Sequence, residues 1–211
     1  MQRIGPLAGI ILLSNVLLAQ TNFTDIQGGI LMPSGAKDGF IGGIAMGRMV
    51  DQNIGYGFEV NYYYKSFTQE TQVLQEDQGQ VNPVEVTTLI DNSTRLLPVY
   101  FRLTYNTAIS PKFDLRVVGA LGYEFMWNSE ENNVTNVDET RFYSGFGWYI
   151  GEGFAFPISD AADLMAEAAY HSSYPSRSEG ENADGLPVRT EIDMSGLMLR
   201  LGIRIYRFGL F

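Results

Sequence analysis

The chain has no cysteine, a single histidine and only 8 prolines in 211 residues. Without cysteine there is no disulfide scaffold and no thiolate-ligated metal, and one histidine leaves no multi-histidine site. After residue 20 there is no run of ~20 apolar residues, which excludes a polytopic helical membrane protein. Basic residues are scarce: Lys+Arg 14 against Asp+Glu 24 gives net −10, the wrong sign for a nucleic-acid face. Disorder is excluded as well, because 13% aromatic and 45% hydrophobic residues suffice to build a core. What the chain does have is 23 glycines and 12 tyrosines, the composition of crowded, aromatic-rich strands in one domain.

Residues 1–20 read as a secretory signal peptide, and 21–211 as the mature domain. Arg3 supplies the positive start, Ile4 to Leu18 is largely apolar, and Ala19 is the small residue at the cut, although Leu17 departs from the usual small-x-small pattern. The alternative, a membrane anchor, is opposed by the short run and its interruptions at Pro6, Ser14 and Asn15. No cysteine follows the segment, so there is no lipoprotein anchor. Export without Arg3 leaves 13 basic and 24 acidic residues.

Two-residue periodicity dominates the rest. In Ile54–Phe67 one face is Ile54, Tyr56, Phe58, Val60, Tyr62 and Tyr64. In Arg95–Tyr105 it is Leu97, Val99, Phe101, Leu103 and Tyr105, and in Phe113–Trp127 it runs Phe113, Leu115, Val117 through to Trp127. A closing segment sets Leu197, Leu199, Leu201, Ile203 and Ile205 against Met198, Arg200, Gly202, Arg204 and Tyr206. Weaker segments at about 22–32, 39–50, 141–156 and 163–173 bring the count to eight. Connections alternate between tight (51–53, 110–111, 157–162) and longer polar ones (68–93, 128–140, 174–190), with a brief one near Ser34–Asp38 on the longer side. That is the rhythm of an all-β, eight-stranded antiparallel up-and-down transmembrane β-barrel, with short periplasmic turns and long outer loops.

The two faces decide the solvent. One carries bulky Leu, Ile, Phe, Tyr and Trp on strand after strand. The other mixes small residues with Glu59, Lys65, Arg102, Asp114, Arg116, Glu124, Glu167, Arg200 and Arg204. With the charges outward the chain is a lipocalin-like barrel or sandwich; with the charges inward they fill a narrow lumen. Tyr62, Tyr64, Tyr105, Tyr123, Trp127, Trp148 and Tyr170 cluster towards strand ends, where membrane-interface aromatics sit. These favour the inverted arrangement.

The segment Gly147-Trp148-Tyr149-Ile150-Gly151-Glu152-Gly153-Phe154-Ala155-Phe156-Pro157-Ile158-Ser159 resembles the GxGxxxPls strand-and-turn of the OmpA/OmpX-like outer membrane protein β-barrel domain family. Leu164–Tyr170 is similar to that family's next strand, Ser195–Arg204 to its closing strand, and Phe211 to the terminal aromatic presented to the barrel-assembly machinery. The resemblance implies a monomer in the bacterial outer membrane, among its lipids and lipopolysaccharide, with a structural or surface-interaction role and no cofactor. Two departures stand out. Arg207 and Gly209 fall in phase with Phe211, and Glu152 falls in phase with lipid-facing Trp148, Ile150 and Phe154 unless a bulge at the glycines turns it inward.

Chemistry-bearing residues are few. His171 and Ser173 form a His-x-Ser pair with Glu167 on the same face, the ingredients of a lipid-modifying outer-membrane hydrolase. Against this, the phase points His171 into the lumen, away from the bilayer, so the expectation is no enzyme. The inward charges read as a plug of salt bridges, with Glu59–Arg102 and Glu124–Arg116 as pairs, or as the lining of a narrow channel. The outer loops are acidic (Glu70, Glu76, Asp77, Glu85, Asp91, then Glu130, Glu131, Asp138, Glu139, then Glu179, Glu181, Asp184). Their spacing matches no calcium loop, and no metal site is expected.

Overall fold

The computed structural model describes residues 21–207 apart from 78–79, 133–136 and 182–186. The expected signal peptide and the terminal Phe211 lie outside the described residues. Ten strands are formed: β1 (Asn22–Pro33), β2 (Gly39–Met49), β3 (Ile54–Asp77), β4 (Gln80–Ser110), β5 (Phe113–Asn132), β6 (Val137–Ser159), β7 (Ala162–Ser173), β8 (Ser176–Glu181), β9 (Pro187–Glu191) and β10 (Gly196–Tyr206). Eight of them close a barrel in which each strand pairs antiparallel with its neighbours, β1 meeting β10 and β5 meeting β6. Closure leaves no sheet edge in lipid, so backbone groups pair between strands around the wall, with a gap in the β3–β4 ladder at Asn61 and Tyr62 opposite Pro98 and Leu97, where proline has no N–H to give. The other two, β8 and β9, form a hairpin inside the last outer connection.

Register fixes the geometry of the wall. Following directly opposed residues once around the barrel gives Ile54, Tyr105, Val117, Glu152, Ala168, Leu199, Ile30, Phe40 and then Tyr64, back on β3 but ten residues further along. A stagger of ten over eight strands, with a rise of about 3.3 Å per residue and strands about 4.8 Å apart, tilts the strands by roughly 40°. The levels of Ile54 and Tyr64 are then about 25 Å apart, the height of an outer-membrane apolar band.

The outward face of this band is greasy throughout: Phe58, Leu103, Leu121, Ile150, Leu164 and Leu201 all stand exposed, Leu201 by 67%. The inward face divides into two layers. Towards the outer end Leu31, Leu96, Met126, Met194 and Met198 pack with Tyr63 and Tyr143 into a cluster without solvent exposure to speak of. Below it lie the charged side chains. The soluble alternative is thereby corrected, since Phe101 and Leu121 face outward and the ionised groups are enclosed.

Two connections differ from the sequence expectation. The polar stretch 68–93 is no irregular loop: β3 and β4 stay paired out to Asp77 opposite Gln80. Threonine and valine in this stretch suit an extended backbone. In the same way β5 and β6 remain paired to Asn132 opposite Val137. Polarity makes both stretches read as loops, because hydrophobic alternation registers burial, not pairing.

Candidate functional site

The lumen is built from inward positions of every barrel strand. Asp25 on β1 sits at its centre. Arg204 donates to Asp25 through Nε at 2.7 Å and Nη2 at 2.9 Å, Arg116 through Nη2 at 2.9 Å, and Arg102 through Nη1 at 3.4 Å. Glu59 pairs with Arg102 at 2.9 Å and Arg200 at 2.7 Å, and accepts from Tyr149 Oη at 2.6 Å and Asn61 Nδ2 at 2.7 Å. Glu167 closes the ring, accepting from Arg102 at 3.1 Å and from Arg200. Arg102, Arg116, Arg200 and Arg204 are all essentially unexposed. Removing four guanidinium groups from water is tolerable only because carboxylates and aromatic faces surround them; Arg204 also lies over the Phe23 ring at 3.9 Å, and Arg200 over Tyr149 at 4.8 Å.

Closer to the outer end is a second cluster around Glu124. His171 Nε2 lies 2.7 Å from Glu124 Oε1, Ser173 Oγ donates to Oε2 at 2.6 Å, and Tyr100 Oη donates to Oε1. His171 Nδ1 lies 2.8 Å from the Met194 carbonyl. Gly147 on β6 makes room for the carboxylate, because a Cβ there would collide with Glu124. The expected Glu124–Arg116 pair is therefore corrected: both are on β5, eight residues apart, which separates them by about 26 Å along the strand. In the His-x-Ser pair the acid beside His171 is Glu124 in place of the expected Glu167, Ser173 donates its hydroxyl proton to the same carboxylate, and both residues face the enclosed lumen.

The remaining inward charges stand apart from these clusters. Asp114 is half-buried at the periplasmic end. Lys65 is half-buried at the outer end and lines a recess of 450 Å³ with Asp38 and Tyr64; it forms no ion pair among the described residues. Of the expected interface aromatics, Tyr62, Tyr64, Tyr123, Trp148 and Tyr170 stand exposed towards the outer ends of their strands and Tyr105 towards the periplasmic end, while Trp127 is half-buried against Phe142 at 5.5 Å. Asp25, the hub of the network, escaped the sequence reading because β1 alternates weakly around Gly28 and Gly29. Its signal was Phe23-x-Asp25-x-Gln27, inward-phased once Ile26 and Ile30 are placed in lipid.

Glu152 faces outward. The β5–β6 register runs unbroken past it, and β6–β7 shifts only between Pro157 and Ser159, so no bulge turns it into the lumen. It lies three steps out of eight up the ladder from Ile54 to Tyr64, about 9 Å above the lower level. A carboxylate at that depth on the lipid face costs about 2 kcal/mol, less than a lysine or arginine at the midplane.

Outside the membrane the loop acids are partly paired. Arg141 meets Glu139 at 2.8 Å and Glu130 at 3.3 Å, and Arg177 meets Glu139 at 3.6 Å. The hydrogen bond from Arg141 lowers the Glu139 carboxyl below its ordinary range. Among the described residues no group of three or more His, Asp or Glu side chains is placed to hold a metal ion.

Comparison with known proteins agrees with this architecture. The fold matches Neisserial surface protein A at a TM-score of 0.51 and 14% identity, covering 90% of this chain and 97% of that one. A major outer membrane protein of Thermus thermophilus matches at 0.54 and 15%, covering 89% and 99%. The outer membrane protein OprG of Pseudomonas aeruginosa matches at 0.51 and 12%, covering 89% and 95%. No curated protein sequence matches. The profile of the outer membrane protein beta-barrel domain matches residues 15–204, and the chain belongs to that family, as a protein of the bacterial outer membrane.

Proposed function

We propose that this protein is a non-conducting, monomeric outer-membrane anchor that presents its extended β3–β4 ribbon to a cationic partner outside the cell. The observation that carries the reading is the length of that ribbon. The last β4–β5 rung joins Ile90 to Asn132, yet β3 and β4 remain paired through Thr71 opposite Thr87 and on to Asp77 opposite Gln80. Two free strand edges thus project beyond the rest of the barrel, and such edges are ready templates for a partner. The segment between Thr68 and Thr94 carries five acids and no lysine or arginine, which steers association towards positive surfaces and away from lipopolysaccharide phosphates.

Two enclosed layers in the lumen, one apolar and one charged, support the non-conducting part. The bonding of Ser173 to Glu124 supports a non-enzymatic role. Entry through the barrel-assembly machinery by way of the C-terminal strand completes the proposal.

The test is a deletion of residues 69–90 closed by a two-residue turn. The shortened protein keeps heat-modifiable gel migration, and cells carrying it lose binding to polylysine-coated surfaces that wild-type cells retain. Equal binding by both would overturn the ribbon's role, and single-channel steps in planar bilayers would overturn the plug.

A further inference from the structure

The lipid-facing wall carries a trough of 640 Å³ whose lining includes Glu152, Phe154, Ala166, Ala168, Leu199 and Leu201. Its origin is legible in the outward residues of β7, which run Leu164, Ala166, Ala168, Tyr170: large, small, small, large. On the two neighbouring strands the registered partners are tall. Ala166 lies between Phe154 and Leu201, and Ala168 between Glu152 and Leu199. The alanines form a floor with walls on both sides.

Binding sites for small molecules are concavities of about 300–1,000 Å³, mainly apolar, with a few placed polar groups that fix orientation. The trough meets each criterion, and of the ionisable residues in its lining Glu167 and Arg200 are buried and paired with each other on the lumen side, which leaves Glu152 as the one that faces outward. Glu152 is exposed to the hydrocarbon layer and has no hydrogen-bond or ion-pair partner among the described residues. An ionisable group inside the membrane span marks a functional site, with a partner to be named. Of the two arginines that face outward with it, Arg48 sits at the periplasmic end of β2 and Arg95 opposite Tyr64 at the outer level of the band, both far along the wall.

We propose that the trough is a binding site for a membrane-dissolved, single-chain amphiphile bearing a protonated amine, with the amine on Glu152 and the chain over Ala166 and Ala168. Charge complementarity selects the amine over a neutral headgroup, because an amine donates to the carboxylate and neutralises it in one contact. The flat alanine floor selects an unbranched chain.

The experiment uses the folded barrel in phosphatidylcholine nanodiscs with ¹³C-methyl-labelled alanine, titrated with dodecylamine and, separately, with 1-dodecanol. In the wild type the Ala166 and Ala168 methyl signals shift saturably, and dodecylamine half-saturates at a lower mole fraction than dodecanol. Glu152→Gln raises the dodecylamine half-saturation point at least about tenfold, the loss expected for one charge-assisted hydrogen bond, and removes its advantage over dodecanol. Ala168→Phe fills the floor and abolishes both responses, with heat-modifiable migration reporting that the barrel still folds. Shifts that rise linearly without saturation, or that are equal for the two ligands in the wild type, overturn the proposal. Signals that change with the protein-to-lipid ratio in the absence of amine would place a second copy on the trough and overturn it too.

Discussion

Asp25 and Arg204 oppose each other directly across the seam where the first barrel strand meets the last, 179 positions apart in sequence. Two bonds, Nε to Oδ1 at 2.7 Å and Nη2 to Oδ2 at 2.9 Å, lock the pair. A bidentate fork of this kind fixes register as well as adding energy, and here it fixes the register at which the barrel closes.

Removing one side of that pair leaves buried arginines short of a counter-charge. Asp25→Ala is expected to destabilise the folded barrel by about 3–5 kcal/mol, because Arg204, Arg116 and Arg102 all lose a partner. Urea unfolding in detergent micelles measures this. A double cycle with Arg204→Met should show strong coupling; simple additivity would mean that the seam pair contributes nothing of its own.

The Glu124 cluster makes a different forecast. Ser173→Ala should cost about 1 kcal/mol, the net worth of one buried hydrogen bond, whereas Glu124→Ala takes a partner from Ser173, Tyr100 and His171 at once, leaving the last two only each other at 3.0 Å and the Met194 carbonyl, and costs more. His171→Ala leaves the lipid A mass profile of the host unchanged. An altered profile would revive the hydrolase.

A charge placed on the lipid face separates membrane from aqueous surroundings. Leu201 is the most exposed of the large outward residues, so in water its replacement by arginine would be nearly neutral. In the bilayer Leu201→Arg is expected to cost about 2–4 kcal/mol, measured by reversible folding into liposomes.

Two glycines should respond in opposite ways. A Cβ on Gly29 would run into the Leu199 carbonyl and the Arg200 backbone, while one on Gly119 meets nothing within 4 Å. Gly119→Ala is therefore tolerated, with a gain of about 0.5 kcal/mol from the less flexible unfolded chain. Gly29→Ala forces the β1–β10 seam apart and slows or blocks folding, which gel migration after refolding will show.

The periplasmic turn carries its own titration. Asp51 accepts backbone hydrogen bonds from Asn53 and Ile54, both at 2.7 Å, and these lower its carboxyl below the ordinary aspartate range. A lowered value means that the turn gains stability above the unfolded pKa and loses it as the pH falls through the folded one. An NMR titration of the Asp51 carboxyl should find its midpoint below that of a free aspartate, and Asp51→Asn should flatten the acid end of the curve.

Alternation is a local property, so the barrel, its eight strands and the face that meets lipid are legible in the order of the amino acids. Leu97 to Tyr105 and Leu197 to Ile205 carry that information with no reference to any other strand. Polarity misled only where strands pair outside the bilayer, as in β3 and β4 beyond Phe67. The ten-residue stagger, the choice of Asp25 as hub and the pairing of Glu124 with His171 in place of Arg116 come from the tertiary structure alone. Each depends on the height at which distant strands meet around a tilted wall. A two-residue period states which side a residue faces and is silent about its level, so partners across the lumen exist only once the barrel has closed.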